Sequence, residues 1–247
     1  WVCLVRVYLY YAVRGDGENI QYIDRPCERI QFEAIKEGGY IISFIDVPSY
    51  KVLLNAVMSY GVNIKYIDNP SEELQLVAVK DDDLAIKFIN NPSEEVKITS
   101  VKYHGESIQH IDNPSEQVQI EAVKKSGIAI KYIKNPTKEM ELGAVKSFGL
   151  SIQYIKNPSY EMKLEAVKQD GYAIQYINNP TEELEIEAIK QNCKAIEYII
   201  NPCEEVQNMV DIIQCKNRKL YVLKLEDGNH KFSIGCQANI TKEQFID

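Results

Sequence analysis

Residues 70–91 read PSEELQLVAVKDDDLAIKFINN, and residues 158–179 read PSYEMKLEAVKQDGYAIQYINN. The two stretches share an opening proline, a central Ala-Val-Lys and a closing Ile-Asn-Asn, and they start 88 residues apart, which is four times 22. Pro26, Pro48, Pro92, Pro114, Pro136, Pro180 and Pro202 complete the series, so all nine prolines keep a 22-residue spacing without a slip. A fixed period over most of a chain marks stacked repeats, in which each unit buries its apolar face against its neighbours. With proline as position 0, Leu4 opens a further unit, because Ala12, Val13, Gly17, Ile20, Tyr22 and Ile23 fall in register.

The unit reads as two helices. Asn69, Pro70, Ser71 and Glu72 offer an N-cap, a first-turn proline and a carboxylate for the helix dipole, and the start recurs at Asn91, Asn113, Asn179 and Asn201. The first helix closes on Ala-Val-Lys. Glycine then stands at Gly61, Gly105, Gly127, Gly149 and Gly171, where a left-handed C-cap is expected. A shorter apolar helix such as Ala129 to Ile133 follows, and the next Asn-Pro ends it. Leu74 and Ala78 share one face, while Leu76 and Val79 point to another, so the helix needs neighbours on both sides. Ala34, Ala56, Ala78, Ala122, Ala144, Ala166 and Ala188 permit close approach. Ile20, Ile42, Ile64, Ile86, Ile108, Ile130, Ile152, Ile174 and Ile196 form an expected buried column. The fold expected is an all-α architecture, an α-solenoid of about nine 22-residue helix-turn-helix repeats, on the order of 80 Å long at about 8–10 Å between helices. A leucine-rich repeat shares the unit length, but LxxLxLxxN is not found in register.

The pattern decays after Cys203, where a last helix from Glu204 to about Gln214 is expected. LYVLKLEDGNHKFSIGC then places two apolar runs around Asp227-Gly228-Asn229, a hairpin signal. The expected division is a helical array over residues 1–214 and a C-terminal β-hairpin cap over 215–247. The start, with Trp1, Cys3 and Leu4, reads as cut rather than capped, and Arg6 argues against a signal peptide.

Composition narrows the function classes. The chain has 247 residues, 45% of them apolar, and a net charge of −8, which argues against general affinity for phosphate backbones. No apolar run reaches 18 residues, so no membrane span is expected. Cys3, Cys27, Cys193, Cys203, Cys215 and Cys236 form no CxxC pair, which fits reduced thiols in an intracellular setting. His104, His110 and His230 are too separated for a zinc site or triad. No metal, cofactor or enzymatic activity is expected.

Ala166 to Tyr176, AVKQDGYAIQY, resembles the AVKQNG-type helical repeats of unknown activity that are common in giant-virus proteins and occur in some bacterial ones. The resemblance covers roughly residues 4–202, with Asp83 and Cys193 departing from Gly and Met58 from Lys. It implies a stacked-helix fold and a viral origin, and it carries no catalytic residue. Leu220-Tyr221-Val222 and Phe232-Ser233-Ile234-Gly235 resemble the opening hairpin of a GIY-YIG nuclease. That resemblance implies a nuclease remnant, since the chain ends before the regions holding that family's catalytic arginine and glutamate; the residues themselves read as a capping hairpin.

Three columns are candidates for binding. Arg14, Lys36, Lys80, Lys102, Lys124, Lys146, Lys168 and Lys190 recur at position 10 and could track a phosphodiester, or simply satisfy helix C-termini with Glu at positions 2 and 3 for pairing. Tyr22, Phe44, Tyr66, Phe88, Tyr132, Tyr154, Tyr176 and Tyr198, with His110, form an aromatic column that reads as part-buried packing. Positions 11, 12 and 14 are not dictated by the repeat and carry Tyr40, Tyr60, Tyr103, Phe148 and Tyr172, beside the acidic Asp81, Asp82 and Asp83. These five aromatics are the expected anchors of a non-enzymatic scaffold whose partner is another protein, or a second copy, in a viral or host-cell assembly. Nucleic-acid binding through the lysine ladder is the alternative.

Overall fold

A computed structural model of the chain describes residues 2–215, 218–224, 230–234 and 237–241, with side chains over 7–210. Two units are distinguished, Trp1–Lys125 and Ser126–Asp247. In the first, α1 (Val2–Gly15), α2 (Glu28–Ala34), α3 (Tyr50–Ser59), α4 (Glu72–Asp81), α5 (Glu94–Tyr103) and α6 (Glu116–Lys125) alternate with short helices at Gly17–Tyr22, Gly39–Phe44, Gly61–Tyr66, Ala85–Phe88 and Gly105–His110. In the second, the short helices Gly127–Tyr132, Gly149–Tyr154, Gly171–Tyr176 and Cys193–Tyr198 alternate with α7 (Lys138–Ser147), α8 (Tyr160–Gln169), α9 (Glu182–Gln191) and α10 (Glu204–Met209). The described residues thus form about nine repeated helix-turn-helix units.

The second helix of each repeat is a 3-10 helix, not the short α-helix expected. Its residues explain why: glycine, isoleucine and isoleucine stand three apart, as at Gly149, Ile152 and Ile155, and only three residues per turn puts them on one face. The Ile155 amide accordingly donates to the Ile152 carbonyl at 3.0 Å. The isoleucine column is buried from Ile20 to Ile174, and Ile196 is half-buried. Each fully covered isoleucine contributes about 1.5–3 kcal/mol.

The helix start also differs from expectation. The N-cap is the residue after proline: the Ser71, Ser93, Ser115, Thr137 and Ser159 hydroxyls accept from the amides of Leu74, Val96, Val118, Met140 and Met162. Asn69, Asn91, Asn113, Asn179 and Asn201 stand earlier with φ of 47–56°, the left-handed conformation that asparagine tolerates. The left-handed residue is therefore asparagine before proline rather than the mid-unit glycine.

Glycine serves close approach instead. A Cβ at Gly17, Gly149 or Gly171 would sit 2.6, 2.7 and 2.5 Å from the carbonyl oxygens of Ala34, Ala166 and Ala188 in the next repeat. Gly61 and Gly127 meet Ala78 and Ala144 in the same way. Two departures from glycine follow this rule. Cys193 precedes α10, which ends at Met209, so its position-8 counterpart Val210 already lies in a strand. At Asp83 the short helix starts late, spanning only Ala85–Phe88.

Side-chain bonds lock successive repeats. The capping serines Ser49, Ser93 and Ser115 donate to Glu28, Glu72 and Glu94, the position-2 carboxylates of the preceding repeat. Position-2 tyrosines Tyr50 and Tyr160 donate to Glu73 and Glu183 of the following repeat. The first-turn glutamates are thus more than solubilising charges.

Helix α10 stops at Met209, short of the expected Gln214, because Val210, Ile212 and Ile213 favour extended backbone. The backbone is then extended over Val210–Cys215, Arg218–Lys224, His230–Ile234 and Gln237–Thr241. The expected Asp227-Gly228-Asn229 turn lies outside the described residues, as do the side chains of the GIY-YIG-like segments.

Candidate interaction surface

The turn between the two helices of a repeat is more constrained than its sequence variety implies. At position 11, Asp81 and Gln191 accept the Gly61 and Gly171 amides of the preceding repeat at 2.7 Å, and Glu37 accepts the Gly17 amide at 2.9 Å. Gln169 does the same for Gly149 and returns its own amide to the Lys146 carbonyl at 2.8 Å. At position 12, Asp16, Asp82, Asp170 and Asn192 accept the amides of Glu18, Leu84, Tyr172 and Lys194, at 2.8–3.0 Å. Sequence reasoning left these positions unassigned; the recurrence of acceptor side chains there was the available signal.

Against this background the five aromatics separate. The Tyr40 hydroxyl donates to Glu18 at 3.0 Å and its ring meets Phe44 edge-on at 6.2 Å. Tyr172 packs edge-on against Tyr198 of the next repeat at 5.7 Å. Both serve the stack. Tyr60 occupies position 12, where it cannot cap the following helix, and remains 68% exposed. Phe148 gives up the same cap and is 36% exposed. Tyr103 ends α5 and is 50% exposed. Met58 and Leu84, also exposed, stand on the turns of the repeats around Tyr60. Asp81 is held by Gly61 and Asp82 caps its helix, so of the three aspartates Asp83 has no such role.

The position-10 ladder is exposed throughout. Its glutamate partners come from position 7, not from positions 2 and 3: Lys36 meets Glu33 at 2.6 Å and Lys124 meets Glu121 at 3.3 Å. The Lys36 contact comes first among the causes that hold the Glu33 carboxyl below its usual value, with the Tyr10 hydroxyl adding to it. Among the described residues, Lys80, Lys102, Lys146, Lys168 and Lys190 have no carboxylate within 4.0 Å.

Lysines at position 17 lie over the aromatic column instead: Lys65 is 4.7 Å from the Tyr66 ring centre and 5.8 Å from that of Phe88, and Lys131 is 4.6 Å from Tyr132. The column rings are half-buried, apart from a more exposed group including Tyr22, Phe88, Tyr154, Tyr176 and Tyr198. His104 places Nε2 3.3 Å from the Lys80 carbonyl, and His110 sits half-buried in the column. Cys27 and Cys203 stand at the capping position without a capping bond, and Cys193 is buried. Among the described residues, no group of three His, Cys, Asp or Glu could hold a metal, and no helix is long and apolar enough to cross a membrane.

Comparison of the chain with protein-family models, with curated proteins and with solved structures found no match.

Proposed function

We propose that the repeat array is a non-enzymatic scaffold that binds another protein along its turn edge, with Tyr60 as the anchor and Tyr103 as a further contact in the first unit, and with Phe148 as a separate contact in the second. One observation carries the reading: at position 12 the repeat profits from Asp or Asn, yet Tyr60 stands there uncapped and 68% exposed. A site that forgoes local stability while exposing a large aromatic side chain is a candidate for binding. Met58 and Leu84 extend the apolar surface, and Asp83 suits a partner with basic residues at its rim. The strands after Met209 act in this reading as a β-hairpin cap on the last repeat, and a viral assembly is the proposed setting.

The test uses Tyr60→Asp, which restores the capping residue of Asp16 and Asp170. The full chain is used for affinity capture from its native host, with the wild type and Tyr60→Asp compared by quantitative mass spectrometry. The expected result is a partner lost from the variant while its thermal stability is kept or raised. Equal recovery from both would remove the proposed anchor.

The unpaired ladder lysines favour a second reading, nucleic-acid binding, because ammonium groups without carboxylates remain available to phosphates. It predicts a gel shift at low salt that disappears in Lys80→Glu, Lys102→Glu. No shift at low salt would end it.

A further inference from the structure

A groove of about 520 Å³ opens in the second unit, on the loops that join each 3-10 helix to the next α-helix and away from the position 11–14 turns. Its floor is Ile155 and Ile177, and its polar lining is Gln153, Lys156, Asn157, Lys163, Tyr176 and Asn178. No Asp or Glu lines it.

Two substitutions within the repeat make this groove different from its counterparts. Position 5 in several other repeats carries a glutamine or glutamate that fastens the loops. The Gln31 amide donates to the carbonyls of Pro26 at 3.0 Å and Val47 at 3.2 Å, while its oxygen accepts from Ser49 at 2.9 Å. Gln75 and Gln119 bond their own proline carbonyls, and Glu185 accepts from the Cys203 amide at 2.9 Å. In the repeat from Pro158 that residue is Lys163, which cannot accept the following loop's amide. It is half-buried, and among the described residues it has no carboxylate within 4.0 Å.

The second change is at position 20. It is acidic at Asp24, Asp46, Asp68 and Asp112 in the first unit, and basic at Lys134 and Lys156 in the second. The other position-5 lysine, Lys97, lies in the first unit, and its own repeat supplies Asp112 at the place where the Lys163 repeat has Asn178. Lys138 also approaches the groove wall, 3.5 Å from the Asn157 carbonyl, but its charge is matched by Glu141 at 2.6 Å. Lys156 and Lys163 are left as a concentrated positive charge beside three side-chain amides.

We propose that this groove is a binding site for a phosphate group, carried by a small phosphomonoester whose planar part rests on the exposed Tyr176 ring. Two ammonium groups and several N–H donors match a dianionic tetrahedral group, and burial of Lys163 strengthens the attraction by lowering the local dielectric. The volume suits a ligand of nucleoside-monophosphate size.

The experiment is calorimetric titration of the full chain with inorganic phosphate and, separately, with adenosine monophosphate. It is done for the wild type, Lys163→Gln and Lys156→Asp. Both substitutions install residues that other repeats carry at those positions, so folding is retained, and circular dichroism verifies it. Saturable binding of either probe that weakens at least about tenfold in Lys163→Gln supports the site, as loss of one charged hydrogen bond requires. Weaker binding in Lys156→Asp supports it further. No heat with either probe at millimolar concentration, or wild-type affinity in Lys163→Gln, would overturn it.

Discussion

From the repeat at Pro70 to that at Pro180, positions 8 and 15 hold two small buried residues, and the chain varies them in a way that permits a double-mutant cycle. The repeats from Pro70, Pro114, Pro158 and Pro180 carry two alanines, such as Ala78 with Ala85 and Ala166 with Ala173, all fully buried. The repeat from Pro92 carries Ser100 and Ser107, both 0% exposed, whose hydroxyls bond at 2.7 Å. The repeat from Pro136 carries Ala144 with Ser151, and the Ser151 hydroxyl is buried without a partner. Leaving a buried hydroxyl unpaired costs about 1–3 kcal/mol. Ser100→Ala should therefore lower stability by about 1–2 kcal/mol through the orphaned Ser107. Ser107→Ala should cost less, because Ser100 sits in a helix and can bond the carbonyl four residues back. The double variant Ser100→Ala, Ser107→Ala reproduces the alanine pair and should return to within about 0.5 kcal/mol of wild type. Ser151→Ala should stabilise by about 1 kcal/mol, and Ala144→Ser should be tolerated with Ser151 present and harmful without it. Urea unfolding followed by circular dichroism measures all six variants. A double variant whose loss equals the sum of the single losses would refute the pairing.

Three further expectations can be checked on the same purified chain. Cys203→Ser should supply the missing cap of α10 and face Glu182 as Ser93 faces Glu72, raising stability by about 0.5–1 kcal/mol; an unchanged unfolding midpoint would contradict it. Tyr40, Tyr50 and Tyr160 have pKa values raised above the ordinary value by their hydrogen bonds to Glu18, Glu73 and Glu183. The folded state holds these protons longer, so their stabilisation is complete below the unfolded value of about 10 and is lost as pH climbs through the higher folded values. Melting temperature should fall on that side, and replacing all three by Phe should flatten the decline. Glu33, held low chiefly by Lys36, behaves oppositely: its contribution is present above the unfolded value of about 4.3 and is lost as pH falls through the lower folded one, a loss that Glu33→Gln should abolish.

The repeat itself was legible because proline, alanine, isoleucine and glycine each recur for a backbone or packing reason that survives without coordinates. Less was legible where two chemistries compete for one place. In Asn-Pro-Ser, both Asn69 and Ser71 are good caps, and only the left-handed φ of Asn69 assigns the cap to Ser71. The 3-10 helix was visible in the three-residue spacing of Gly149, Ile152 and Ile155, a period easily absorbed into an α-helical reading over so short a segment. Glycine was recognised as special, but its partner is the Ala carbonyl 17 residues later, as Gly149 to Ala166, a relation that one repeat alone does not contain. Among the surface candidates, Tyr40 and Tyr172 looked equivalent to Tyr60 until their partners Glu18 and Tyr198, each in an adjacent repeat, were in view.

The central claim is that the repeats with Gly17, Gly61, Gly127, Gly149 and Gly171 close on the next repeat by backbone contact at that glycine. Substituting Gly149→Ala tests it most directly, with Gly15→Ala as control, since a Cβ at Gly15 meets nothing within 4 Å. Measured by urea unfolding, Gly149→Ala should lose about 1–3 kcal/mol through the forced separation from the Ala166 carbonyl, whereas Gly15→Ala should lose none. Wild-type stability in Gly149→Ala would show that neighbouring repeats do not meet there.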